Sequence, residues 1–187
     1  MTVYQRLADR LAEKGFINSD EQDIYAYGFD IVSYTIWSTA VLLIIGLIFR
    51  KIWDTVVIVA IFYTFQCMGG GYHAKTHLKC LLTMVLSLTG SLIFCYLKID
   101  TVILWSMIGL GTILLLAFPL VLHPNKAYLE ERRKSLSIRS VIVPICTLLV
   151  TVIICILLPN MLCAFSMAFL LSAVSRIAGK IIYARRS

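Results

Sequence analysis

The residues best suited to chemistry lie in one short segment, from Gln66 to Cys80. The segment contains two of the chain's three histidines, His73 and His77, and two of its six cysteines, Cys67 and Cys80. An imidazole within hydrogen-bond reach of a thiol can take up its proton and later return that proton to a leaving amine. These residue types therefore allow the acyl-transfer chemistry of a cysteine protease.

The spacing of these residues is compatible with two different sites. If the chain is helical from Tyr72 onward, His73, His77 and Cys80 fall at positions i, i+4 and i+7, on one helix face. Stacked in this way, an imidazole and the thiol form a catalytic pair. Imidazole and thiolate are also common zinc ligands, so a metal site stays open, although structural zinc prefers four ligands.

Glycine and lysine surround this cluster. Three consecutive glycines, Gly69 to Gly71, release the backbone from the helix, because glycine has no side chain to forbid the dihedral angles of a sharp turn. Lys75 and Lys79 provide the electropositive setting that reactive cysteines such as Cys80 usually have. We expect the cluster to lie between two helices.

Composition places these residues in a membrane protein. The 187 residues are 60% hydrophobic and 14% charged, with a mean hydropathy of +0.89, whereas about a quarter of the residues of a soluble domain are charged. The formal charge is +7, but the lysines and arginines lie between apolar runs rather than along one stripe. We therefore expect membrane topology to explain the charge, and no nucleic-acid partner.

The apolar runs predict an all-α, polytopic membrane protein with one transmembrane domain over residues 1–187. Each run is close to the ~20 residues that cross a bilayer, and Pro159-Asn160 divides the last, longer run in two. An amphipathic pattern over residues 1–18 predicts an interfacial helix on the membrane surface. The six transmembrane helices are predicted at about 31–49, 55–70, 80–97, 101–122, 140–158 and 161–178.

The distribution of basic residues predicts the orientation. An even number of spans puts both termini on one side, and cytosolic loops carry most lysine and arginine. With both termini cytosolic, 14 of the 17 basic residues lie inside, provided that Arg176 and Lys180 snorkel to the interface. The segment around His73 is then cytosolic.

These residues carry a resemblance to a known family. Gly70-Gly71-Tyr72-His73-Ala74 followed by Cys80, in a six-span chain of this length, resembles the AgrB family of quorum-sensing, peptide-processing membrane endopeptidases. Pro124-Asn125-Lys126 and the charged continuation from Glu130 to Lys134 also resemble that family's loop after the fourth span. The most specific part is a histidine followed seven positions later by a cysteine.

The resemblance implies a catalytic dyad in a bacterial cell-membrane endopeptidase, with no cofactor and no metal. Cys80 is the nucleophile, His73 is the base and Gly71 shapes the approach. His77 is a second candidate base at closer spacing, and only the resemblance selects His73.

One position departs from the family pattern. Gln66 stands seven residues before the histidine, where the family is expected to have arginine. The role of that charge is therefore expected to be filled differently, or by Lys75 or Lys79.

The implied partner is an AgrD-like propeptide with an amphipathic N-terminal helix and an acidic C-terminal tail. Its N-terminal part is expected to form a thioester with Cys80 before a thiolactone ring closes. A basic loop should attract the acidic tail by electrostatic complementarity. The basic residues concerned are Lys126, Arg132, Arg133 and Lys134.

Membrane lipids are further expected partners, and a homodimer is plausible. Small polar residues let membrane helices approach closely. The first predicted span carries four of them, Ser33, Thr35, Ser38 and Thr39.

Two alternatives from other functional classes stay open: a membrane metal-binding protein, or a small transport protein, that uses His73, His77 and Cys80. Ionisable residues inside the membrane usually mark transport paths. The predicted spans contain none between their flanking charges, which disfavours transport.

The topology can be tested with single introduced cysteines. We expect residues 69–79 and 123–139 to face the cytosol and residues 50–54 and 98–101 to face outward, because of the lysine and arginine asymmetry. An impermeant maleimide added to intact cells should label a cysteine placed within 50–54 and spare one placed at position 128. Strong external labelling at position 128 would refute the orientation.

Overall fold

A computed structural model describes residues 3–72, 74, 76–121 and 130–184, with only the backbone described at 130–132 and 184, and most of these residues are helical. These residues form seven α-helices and contain no strand. Two 3-10 turns, Ser19–Glu21 and Pro159–Met161, precede α2 and α7. The helices are α1 (Val3–Glu13), α2 (Gln22–Ile48), α3 (Ile52–Gly69), α4 (His77–Phe94), α5 (Thr101–Ala117), α6 (Glu130–Leu157) and α7 (Leu162–Ala184).

The all-α, multi-pass prediction is confirmed at the level of helices. Five helical segments of the described chain are long and apolar enough to cross a membrane, and α5, with 17 residues, is a shorter apolar helix. The count of six spans and the surface position of α1 stay predictions. The break at Pro159-Asn160 is confirmed, because α6 ends at Leu157 and α7 begins at Leu162.

Several helix boundaries differ from the predicted spans. The helix of the first predicted span, α2, begins at Gln22 rather than at 31, and the helix of the fifth predicted span, α6, begins at Glu130 rather than at 140. Both extend into charged sequence, because a helix continues beyond the apolar stretch that a bilayer requires. In contrast, α5 ends at Ala117, before the predicted limit of 122.

The chain divides into two compact units, Met1–Val41 and Leu42–Ser187. The prediction of one domain stays a prediction. The first unit holds α1 and the beginning of α2, with an open cavity of about 490 Å³ between them. Its lining includes Asp23, Tyr27 and Asp30 but no histidine or cysteine, so the cavity contains no nucleophile of the predicted kind.

Helix α7 is the central element of the second unit. Half of its most apolar 18-residue window is buried, against 17% of the corresponding window of α4. It packs most extensively on α5 and α3, and the rings of Phe65 and Phe169 meet edge to face at 5.3 Å. The helix that carries Cys80 therefore lies at the periphery of a bundle that α7 organises.

Close packing of α5 on α7 depends on Gly111. A Cβ added to Gly111 would lie 2.9 Å from Cβ and 3.0 Å from the backbone carbon of Phe169. Small residues at such positions let membrane helices approach closely enough for dispersion contacts to hold them together.

Two neighbouring glycines of α5 provide a matched stability test. Gly111→Ala should destabilise the protein by about 1–3 kcal/mol through overpacking. Gly109→Ala should be neutral or stabilise it by up to ~1 kcal/mol, since alanine favours helix and no atom of the described residues lies within 4 Å of an added Cβ there. Thermal unfolding midpoints of both variants in one detergent measure this. Equal shifts in the two variants would contradict the packing.

Candidate functional site

The candidate site begins where α3 ends. Gly69 is the last residue of α3, and Gly70 follows with φ +69, a left-handed conformation that residues with a Cβ rarely adopt. The Gly70 N–H donates to Gln66 O at 3.0 Å, which closes the helix end. The predicted glycine release of the backbone is therefore confirmed. We call Gly69–Tyr72 the glycine turn.

Backbone hydrogen bonds hold the glycine turn against other parts of the bundle. The N–H of Val121 donates to Gly69 O at 2.8 Å, and the N–H of Tyr72 donates to Ser175 O at 2.9 Å. The hydroxyl of Tyr183 donates to Gly71 O at 3.4 Å. Backbone groups outside a helix that are buried in the protein require such partners, because an unpaired buried N–H or C=O costs free energy.

Arg176 of α7 lies directly beneath this turn. It is 1% exposed, and a Cβ on Gly69 would overlap its guanidinium. One guanidinium nitrogen, Nη1, donates to Leu115 O at 3.0 Å and Pro119 O at 3.1 Å, and Nη2 donates to Phe65 O at 3.3 Å. A single cation thus joins the C-terminal parts of α3 and α5.

Pro119 explains one of these bonds. In an α-helix the carbonyl of Leu115 would accept the N–H four residues later, but residue 119 is proline and has no N–H to donate. Arg176 supplies the missing donor.

Two sequence expectations about Arg176 are wrong. It does not snorkel, because its side chain is buried among carbonyls, and the spans are not free of ionisable side chains. A lone arginine within the last apolar run was the available signal, since such a residue usually has a specific partner. Arg176 is hydrogen-bonded and almost fully buried, unlike a residue that lines an open water-filled path. Lys180, one turn later, lies over the Phe118 ring at 4.6 Å.

Gln66 lies against the same turn. Its Nε2 donates to Ser175 Oγ at 2.6 Å, while its buried Oε1 has no hydrogen-bond partner among the described residues. A Cβ on Gly71 would overlap the Gln66 amide, so Gly71 is a position of close approach. The positive charge beside this turn comes from Arg176 on α7, a residue that spacing along the segment did not reveal.

Cys80 lies in the first turn of α4. Thr76 is the N-cap, its hydroxyl accepting from Lys79 N at 3.3 Å, and Cys80 N donates to Thr76 O at 3.0 Å. Cys80 is partly exposed, and His77 and Lys79 are exposed. The positive end of the α4 dipole is therefore at the turn that carries the thiol, where it favours negative charge.

The sequence predicts one shared helix face for His73, His77 and Cys80 only if a helix begins at Tyr72. Tyr72, Ala74 and Thr76 are not helical, so that condition is not met. His73 and Lys75 themselves lie outside the described residues, and the His73–Cys80 pairing stays a prediction.

The predicted basic loop is described in part. Lys126 lies outside the described residues, as does the side chain of Arg132. Arg133 and Lys134 are exposed near the start of α6. Their side chains are accessible to an acidic partner.

Other thiols and metal-ligand groups do not form a competing site in the described part of the chain. No three His, Cys, Asp or Glu side chains there lie close enough to hold a metal ion. Cys95 directly follows α4 and Cys163 lies in the first turn of α7, so both are far from Cys80, at the opposite end of α4. A metal site that includes His73 stays untested.

Comparison with known proteins gives one match. The family model described as Accessory gene regulator B matches residues 4–176, nearly the whole chain. No curated protein and no solved structure matches this chain.

Proposed function

Because the chain belongs to the accessory gene regulator B family, a family of membrane proteins involved in quorum-sensing propeptide processing, we propose that it is a cysteine endopeptidase with Cys80 as nucleophile and His73 as base. The substrate is an AgrD-like propeptide, and the product is a cyclic thiolactone. The observation that carries the proposal is the position of Cys80, partly exposed in the first turn of α4. Four residues separate the held glycine turn from the start of that helix.

In the first step His73 takes the proton from the Cys80 thiol. The sulfur attacks the scissile carbonyl carbon and forms a tetrahedral intermediate with negative charge on oxygen. The C–N bond then breaks, and the imidazolium returns its proton to the leaving amine. The N-terminal part of the propeptide remains on Cys80 as a thioester.

In the second step a cysteine thiol of the bound fragment attacks the thioester carbonyl. The bond to Cys80 breaks, the Cys80 thiol is restored, and the fragment closes into a thiolactone. One thioester replaces another, so the activated bond is preserved and the step needs little further driving force. Neither step as written uses water, a cofactor or a metal as a reactant.

We propose that the basic residues at the start of α6 recruit the acidic tail of the substrate. Arg133 and Lys134 are exposed, and opposite charges steer encounter and fix orientation. A substrate anchored by its own amphipathic helix is already concentrated at the membrane, which raises occupancy of the site.

Charge neutralisation tests this recruitment. Replacing Arg132, Arg133 and Lys134 by Gln should raise KM with little change in kcat, because the residues act on binding rather than on chemistry. The difference from wild type should shrink at high salt, which screens exposed charges. If the triple variant instead inserts with altered topology, these residues are orientation signals and not a substrate site.

Alanine variants test the dyad. Cys80→Ala and His73→Ala should each lower the cleavage rate by about 10³-fold or more, since removing either member of a nucleophile–base pair disables the whole unit. An unassisted cysteine is only a few per cent thiolate at pH 7. His77→Ala should lower the rate by less than about 10-fold, as expected for a residue outside the proton transfer.

Trapping and metal analysis provide the controls for these variants. A propeptide fragment bound to Cys80 and released by hydroxylamine would establish the thioester. If His77→Ala is inactive while His73→Ala is active, the base is misassigned although the peptidase stands. If all three variants lose a bound metal together with activity, the thiolate is a ligand and the covalent mechanism fails.

A further inference from the structure

One stripe of α7 holds the glycine turn. Ser175, Gly179 and Tyr183 recur every four residues, which places them on one helix face. Ser175 accepts the Tyr72 N–H, Gly179 lies in close approach to Gly71, and Tyr183 donates to Gly71 O. The turn therefore takes its position from α7 as well as from α3, which it follows in sequence.

Gly179 gives the turn access to the α7 backbone. An α-helix pairs the carbonyl of Ser175 with the N–H four residues later, at Gly179. A Cβ on Gly179 would lie 2.8 Å from Gly71 C and 2.9 Å from Tyr72 N. Because that Cβ is absent, the N–H of Tyr72 can approach Ser175 O to 2.9 Å.

The Ser175 hydroxyl joins two parts of the site. It accepts from Gln66 Nε2 at 2.6 Å, in the last turn of α3, and from Tyr72 N at 3.3 Å. Removing it leaves the Gln66 Nε2 without this partner, and Gln66 Oε1 has no partner within the described part of the chain. The hydroxyl thus links the end of α3 to the residue that directly precedes His73.

We propose that Ser175 is a positioning residue of the peptidase, which sets the backbone at Tyr72 and thereby the reach of His73 toward Cys80. The inference rests on the proposed function, because it assigns a role only if His73 is the base. Any displacement of the Tyr72 peptide moves the start of the following residue. A misplacement of about 1 Å can cost about 10²-fold in rate, since reacting groups must meet within a narrow range of distances.

The test uses the purified full-length protein in liposomes with its propeptide. Ser175→Ala removes the hydroxyl and keeps the carbonyl that Tyr72 contacts. We expect kcat to fall by about 10-fold with KM changed by less than about 2-fold, the pattern for a group that acts on chemistry rather than on binding. Iodoacetamide should also alkylate Cys80 more slowly at neutral pH, because the base is displaced. Ser175→Thr, which restores a hydroxyl, should recover both rates.

Matched variants separate positioning from general disturbance of the bundle. Ser172 is a buried serine one turn earlier whose hydroxyl donates to Ala168 O at 2.7 Å within α7, so Ser172→Ala should retain the wild-type kcat. Gly179→Ala should lower kcat more than Ser175→Ala does, because a methyl group there meets the turn itself. Gly90→Ala is its control, since an added Cβ on Gly90 would have no neighbour within 4 Å among the residues that the structure describes.

Three results would overturn the proposal. Equal kcat values for Ser175→Ala and Ser172→Ala would show that Ser175 has no positioning role. A rise in KM alone would make Ser175 a substrate contact. If Ser175→Thr failed to recover kcat, the hydroxyl would not be the group that positions the turn. Should Ser175→Ala aggregate, Ser175→Cys carries the same kcat test, because it keeps the volume and weakens the hydrogen bond.

Cys80→Ala, assayed in parallel, distinguishes this inference from the proposed function. If Cys80→Ala still cleaves the propeptide, the peptidase assignment itself fails. If Cys80→Ala is inactive and Ser175→Ala is fully active, only the positioning role fails. Detergent elution profiles and unfolding midpoints establish that each variant is folded.

Discussion

A guanidinium buried in an apolar bundle requires negative charge from the protein, because lipid supplies none. Arg176 meets that requirement with the carbonyls of Phe65, Leu115 and Pro119, in the C-terminal parts of α3 and α5 or just beyond. Each helix C-terminus carries roughly half a negative elementary charge, so two of them together offset about one cation. The arginine therefore connects the two helix ends. Without Arg176 the Leu115 carbonyl, which faces a proline, would lose its donor.

The glycine turn depends on this arrangement. Where α3 ends, Gly69 lies so close to the guanidinium that a side chain there would overlap it, and the Gly69 carbonyl accepts from Val121 just beyond α5. Two chain segments thus leave helical geometry beside each other, joined by the backbone hydrogen bond between Val121 and Gly69. This crowding requires glycine at position 69, and the positive φ favours glycine at position 70.

The two residues of the proposed dyad belong to segments that differ in how much of them is buried in the bundle. His73 follows a turn that α7, the central helix, holds by side chain and backbone, whereas Cys80 lies on α4, whose apolar window is mostly unburied. The departure at position 66 is consistent with this arrangement. Gln66 binds Ser175 rather than bearing charge, and the cation beside the turn belongs to α7.

Composition and apolar run length determined the all-α membrane class, because the bilayer sets both the length and the hydrophobicity of a spanning helix. The local spacing of Gly70, Gly71, His73 and Cys80 was enough to indicate the family. The sequence did not place Ser175 or Arg176 at the site, since over a hundred residues separate them from Gln66 and Phe65. Their roles arise only when α7 packs between α3 and α5. The start of α4 was likewise a tertiary outcome. Tyr72, Ala74 and Thr76 are not helical, Tyr72 donates a hydrogen bond to α7, and the helix begins after the Thr76 cap.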